Sequence, residues 1–368
     1  MRSGVANLPL HSGKCPAWLF SRMKALGAAI IEIIVEEFGP QEVLRRLSDP
    51  IWFQAFGCVL GFDWHSSGIT TTVCGALKEG LRPREGDLGI FFAGGKGATS
   101  RKTPAEIAEA CEKHGLPSEF INLQYASRMA AKVDSAALQD GYDIYHHLFV
   151  FTTDGGWAVI QQGMNDATGW ARRYHWIGRI STDFDFVREP HAGISCDHIG
   201  EALNMVALES ERARQASTSI AKEETRVVIQ EVKKVLTLPS DHAIPGTTRL
   251  EKILRLAYEH QPEDFETLLS LPGVGPATIR ALAMVAEVTY GAKASRRDPV
   301  RYSFAHGGKD GHPFPVNKTD YDRSIHVLED ALRKAKLGQT DKLKALKRLA
   351  AWQEGTVENH ASAPMTVD

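Results

Sequence analysis

The sequence predicts a helix-rich α/β chain of the α+β kind: a larger N-terminal α/β domain with a small sheet, then an all-α domain. Three observations predict it. Apolar residues recur at helical spacing through much of the chain, as at Leu26, Ile30, Ile33 and Ile34. Period-two alternation is confined to the middle, around Ile144–Phe151. Between residues 268 and 288, two short apolar helices flank Leu271-Pro272-Gly273-Val274-Gly275-Pro276. A chain of 368 residues suits roughly two or three domains, drawn as 1–238, 239–336, and a C-terminal helix with a disordered tail over 337–368.

The first helix is expected over Pro16–Phe38, ended by Gly39-Pro40. Residues 40–47 give a second, short helix. Asp49 before Pro50 reads as a cap and first turn, opening a third helix through Trp52, Phe53 and Val59. The polar loop Gly61-Phe62-Asp63-Trp64-His65-Ser66-Ser67-Gly68 follows, and Thr70 is placed to cap a helix over Thr71–Glu79. Leu88–Phe92 is a buried apolar strand. It ends in a loop through Gly94-Gly95-Lys96-Gly97 and Arg101-Lys102 to Thr103-Pro104, where Thr103 is expected to cap another helix. Strand, glycine loop and helix start form a geometry that favours phosphate, although neither the P-loop nor the dinucleotide pattern is present.

Ser127–Leu138 is helical. Tyr142–Thr152 alternates, with Ile144, His146, Leu148 and Val150 on one face and Tyr145, His147, Phe149 and Phe151 on the other. Thr153-Asp154-Gly155-Gly156 turns the chain back into a strand over Trp157–Gln162. A helix is expected from Ser195 or Asp197 through Leu208, with more helix over 209–219 and 225–238. The proline-rich stretch 238–246 is the expected domain boundary. Leu250–Tyr258 opens the helical domain that holds the glycine hairpin, and helices over Tyr321–Lys336 and Asp341–Trp352 close the chain.

Net charge is −2, which excludes a basic coat for nucleic acid; any such contact has to come from local patches. The five cysteines form no C-x-x-C pair and are odd in number, so a reducing cytoplasm is the expected compartment. Ala25–Val35 is apolar but short and carries Glu32, and Met1–Trp18 has no signal-peptide core, so no membrane is expected as a partner.

The stretch Leu271–Leu282 resembles the helix-hairpin-helix family of nucleic-acid-binding motifs. That resemblance implies a grip on phosphate by Gly273, Val274, Gly275 and Thr278, without sequence reading. Further candidate phosphate contacts are Lys96, Arg101, Lys102, Arg128, Arg172 and Arg173, the last two because basic residues interleaved with aromatics suit phosphate and base contact. An acid downstream of the hairpin, Asp298, resembles the arrangement in glycosylases that remove damaged bases. Ala277 stands near where the lyase-type members carry a lysine, so a Schiff-base lyase is not expected. The chain also resembles a prokaryotic family described as domain of unknown function 763. The resemblance rests on Leu8–Lys14, Leu60–Gly68, Ala126–Asp134 and Tyr302–Gly311, and it implies no activity.

Asp63, His65, Asp134, Asp140, His146 and His147 are the candidate catalytic residues. Acid, imidazole and carboxamide groups on one hairpin are the kinds of group that hold a divalent metal beside a phosphodiester. Asp134, Asp140 and His146 are the expected ligands for Mg²⁺ or Mn²⁺. The leading expectation is a DNA-processing or repair protein, a metal-dependent nuclease that holds DNA by the hairpin. The alternatives are a monofunctional glycosylase-like enzyme, a non-catalytic nucleic-acid-binding protein, and a small-molecule enzyme consistent with the near-neutral charge.

Overall fold

The computed structural model describes residues 8, 15–62, 67–180, 183–196, 198–236, 247–300, 326, 328–334 and 339–357. Helices α1 (Ala17–Phe38), α2 (Pro40–Leu47), α3 (Pro50–Val59) and α4 (Gly68–Leu81) come first. Gly39, at φ 83°, ends α1 and lets Pro40 start α2. Asp49 Oδ1 accepts from Ile51 N and Trp52 N at 2.8 and 3.2 Å, the expected cap of α3. Thr70 is not a cap. It lies inside the first turn of α4, and its hydroxyl donates to Gln162 Oε1 on the sheet.

A short helix α5 (Glu85–Leu88) precedes β1 (Ile90–Lys96), so the strand runs through both glycines rather than stopping at Phe92. Next come α6 (Thr103–Lys113) and α7 (Ile121–Lys132), the latter prolonged by a wide turn over Val133–Ala137. Thr103 does not cap α6 either: its hydroxyl donates to Ser100 O. The strands are β2 (Leu138–Gln139), β3 (Asp143–Thr152), β4 (Gly156–Asn165), β5 (Trp170–Arg179), β6 (His191–Ser195) and β7 (Glu201–Asn204). The helix expected from Ser195 or Asp197 through Leu208 is not formed: β6 ends at Ser195 and Glu201–Asn204 is the strand β7. The chain ends with α8 (Glu211–Ala221), α9 (Thr225–Leu236), α10 (Thr247–His260), α11 (Phe265–Ser270), α12 (Pro276–Tyr290), β8 (Ser295–Arg297) and α13 (Gln339–Val357).

The main sheet is antiparallel in the order β1-β3-β4-β5-β6; a smaller one joins β2-β7-β8. Both faces of the main sheet are buried. Ile90, Phe92, Leu148, Val150, Ala158 and Ile160 pack with α1–α4, and Leu328, Leu332, Ala345 and Leu349 return to the same core. Phe91, Phe149, Phe151, Trp157, Val159 and Trp176 pack on the other face with the helices after α5, up to Leu282 and Val285 of α12. The expected boundary at 238–239 falls outside the described residues. On either side of it the described elements share this second core, and β8 pairs with β7.

A register shift between Ile144 and His146 changes the expected alternation of β3. Ile144 packs with the later helices, while the Tyr145 hydroxyl accepts from Gln162 Nε2 on the α4 side. One extra residue in a strand exchanges faces for everything before it. At the outer edge of β1, Phe92 N donates to Glu85 Oε1 at 3.3 Å and Gly94 N to Glu106 Oε2 at 2.7 Å. Lys78 Nζ donates to Gly94 O and pairs with Glu106. Among the described residues no helix is long and apolar enough to cross a membrane.

Candidate functional site

Three polar arrangements stand out: one on each face of the main sheet, and one at the glycine hairpin. On the face toward α7, a hydrogen-bonded chain runs from Ser127 to His191. His147 Nδ1 lies 2.9 Å from Gln161 Oε1, and Ser127 Oγ lies 2.9 Å from His147 Nε2. Gln161 Nε2 donates to Ala130 O and to Asp134 Oδ2, which turns its carbonyl oxygen toward the imidazole. His147 therefore carries its proton on Nδ1 and leaves Nε2 to accept from the Ser127 hydroxyl. Asp134 also accepts from Trp176 Nε1 at 2.9 Å and faces His191 Nε2 at 2.5 Å. Burial pushes His147 below the usual imidazole range, although Gln161 and Asp134 oppose that shift.

Farther along this face, Arg172 sits between two acids. It donates to Asp140 Oδ2 at 2.9 Å and, in a two-point contact, to Asp298 at 3.1 and 2.7 Å. All three side chains are at most 2% exposed. Tyr174 Oη donates to Asp140, while Gly200 N and Val300 N donate to Asp298. Burial raises the Asp140 carboxyl, against the pull of Arg172. Asp298 thus joins the segment after the hairpin to the main sheet; its oxygens are taken by internal donors and are not presented as a glycosylase acid.

The opposite face, toward α4, carries a cross-strand row. Lys96 pairs with His146, His146 with Gln162, Gln162 with Arg173, and Arg173 with Ser195. Arg173 donates to Gln54 Oε1 at 3.0 Å and to His175 Nε2 at 2.9 Å. Burial, followed by Arg173, holds His175 far below its ordinary range.

At the hairpin, Asp264 caps α11 by accepting from Thr267 N at 2.7 Å. Gly273 adopts φ 84° in the turn, and no side chain caps Gly275 at the start of α12. Lys132, on α7, reaches across to this turn. Its ammonium donates to Leu269 O at 2.7 Å, Leu271 O at 2.5 Å and Val274 O at 3.1 Å. Burial pushes Lys132 down to about 8. Gln139 donates to Pro276 O at 2.8 Å and accepts from Arg280, fixing the second helix as well.

Set against the expectations, the placements divide. Asp63 and His65 lie outside the described residues. Asp134 and His147 do meet, through Gln161. His146 points to the other face of the sheet, and Asp140 is engaged by Arg172, so Asp134, Asp140 and His146 do not assemble as metal ligands. Among the described residues no group of three or more His, Cys, Asp or Glu is placed to hold a metal ion. Arg172 and Arg173 are buried in the sheet rather than open to phosphate. Val274 and Thr278 face the core, which leaves Gly273 and Gly275 as the open positions of the turn. Lys96, Arg101, Lys102 and Arg128 are exposed. Ser127, the contact of His191 with Asp134 and the Lys132 contacts were missed by sequence reasoning, whereas Gln161 was legible as a cross-strand neighbour of the histidine pair. That pairing was the one available signal.

No curated protein and no solved structure matches the chain. One family model matches residues 4–316, most of the chain, and takes in the α4 loop, both faces of the sheet and the hairpin. The chain belongs to that family, described as protein of unknown function (DUF763).

Proposed function

We propose that this protein binds nucleic acid, DNA being the expected partner, by gripping the phosphate backbone at the α11–α12 turn in the manner of a helix-hairpin-helix. Gly275 carries the reading. Its backbone, φ −144° and ψ −170°, is one that any residue before a proline adopts. A Cβ there would meet nothing closer than Gly273 O at 3.8 Å. Among the described residues nothing asks for glycine at this position, whereas a helix start without a side-chain cap suits close approach by an outside anion. Lys132 adds to this by drawing three turn carbonyls inward and placing a cation beneath them. Arg128, one helical turn before Lys132 on α7, is exposed on the same side.

The reading stops at binding, because the acids and imidazoles first expected to hold a metal are divided between two faces of the sheet. Fluorescence anisotropy with labelled duplexes of unrelated sequence tests it. Binding is expected to be similar across sequences and to weaken linearly in log–log terms with salt. Gly275→Val is expected to keep the melting temperature and to weaken binding about tenfold. No binding at low salt, or full binding by Gly275→Val, overturns the reading.

A further inference from the structure

The row on the α4 face runs from solvent to the centre of the sheet. Lys96 is exposed on the edge strand, whereas His146, Gln162, Arg173 and Ser195 are each no more than 1% exposed. Cross-strand partners stand side by side on one face, so the five side chains form a continuous polar line under an apolar helical layer. Gln162 is fully engaged. It donates to Ser67 O at 2.9 Å and to the Tyr145 hydroxyl, and it accepts from Thr70 at the start of α4.

His146 differs. Among the described residues, both of its ring nitrogens are buried without a hydrogen-bond partner, and the Ser195 hydroxyl is in the same condition at the far end of the row. Folding rarely leaves an imidazole so placed, since each buried polar atom without a partner is costly. The cost is offset when a ligand supplies the missing bond.

The surroundings select the kind of ligand. The Lys96 ammonium lies 5.7 Å above the Tyr145 ring, beside His146. Burial, then His147, then Lys96 push His146 down to about 3, so its ring is neutral, with one N–H to donate. A cation would meet Lys96 on one side and Arg173 beyond Gln162. An anion with oxygen acceptors would gain from both the N–H and the ammonium. Backbone at Gly94, Gly95 and Gly97, next to Lys96 in the chain, takes positive φ, and Arg101 and Lys102 lie exposed on the next turn.

We infer that the Lys96–His146 end of this row is a binding site for a phosphate monoester, with Lys96 pairing with its charge and His146 donating to an oxygen. This site lies on a different part of the chain from Gly275 and does not depend on the hairpin reading. The monoester could come from a small metabolite or from the phosphorylated end of a nucleic-acid strand.

Isothermal titration calorimetry distinguishes these sources. The probes are inorganic phosphate and one oligonucleotide with either a 5′-phosphate or a 5′-hydroxyl. Wild-type protein is expected to bind inorganic phosphate, and His146→Leu and Lys96→Met are each expected to weaken that binding at least about tenfold. Gly275→Val should leave it unchanged. Lys96 is exposed and the His146 ring has no hydrogen bond among the described residues, so Lys96→Met is expected to melt as the wild type does and His146→Leu no earlier. A preference for the 5′-phosphorylated strand that His146→Leu abolishes supports a strand end as the source. Equal binding of the two strands, with inorganic phosphate still bound, supports a metabolite. Failure of the wild type to bind inorganic phosphate, or binding by His146→Leu and Lys96→Met as tight as the wild type's, overturns the inference.

Discussion

Asp134 accepts from Gln161 and Trp176 and faces His191, so its carboxylate organises side chains from β4, β5 and β6. Replacement by Asn removes the buried charge and one of the two acceptor oxygens that Gln161, Trp176 and His191 share. Asp134→Asn is expected to cost about 3 kcal/mol, read as a lower urea midpoint. An unmoved midpoint would show that the network does not hold the sheet together. The histidine pair was legible at this scale, because alternation alone puts His146 and His147 on opposite faces. The role of Arg172 and Arg173 was not. In a strand buried on both faces, an arginine neutralised by acids far along the chain looks the same in sequence as one facing phosphate. Only the partners, Asp140 and Asp298 for Arg172 and Gln54 and His175 for Arg173, separate the two.

Helix starts with local causes were legible, as Asp49-Pro50 at α3 and Gly275-Pro276 at α12 show. Thr70 and Thr103 misled because a hydroxyl at a helix start has rival acceptors: Gln162 for one, Ser100 O for the other. The Lys132 contact with the hairpin was not readable, since its acceptors are backbone carbonyls more than 130 residues away. If the hairpin grips phosphate as proposed, this contact makes that grip depend on pH. Lys132 is lowered to about 8, so its charge is present below that pH and is lost as pH rises through it. A phosphate nearby favours the charged form, and binding then takes up a proton. Affinity is therefore expected to fall as pH rises through about 8 in the wild type, and to stay level there in Lys132→Arg. Parallel profiles for the two proteins would separate the hairpin grip from Lys132.

For the molecule as a whole, the helix-rich α+β class was legible from periodicity, and the five-stranded order of the sheet was not. Residues 191–204 are short strands without a clear alternation, and they gain their form by pairing with β5 and β8. The C-terminal helices also do more than close the chain. Leu332 and Leu349 are at most 1% exposed in the core of α1–α4. Leu332→Ala is expected to cost about 3 kcal/mol, seen as earlier unfolding of the tryptophan signal. An unchanged curve would make this region an appendage.

Glu85, Glu106 and Lys78 occupy the outward backbone groups of β1 at Phe92 and Gly94. A stray strand, from a second molecule or from a chain still folding, finds those donors and that acceptor already taken. This edge of the sheet is thereby a poor template for extension, although Phe91 and Phe92 lie just inside that rim.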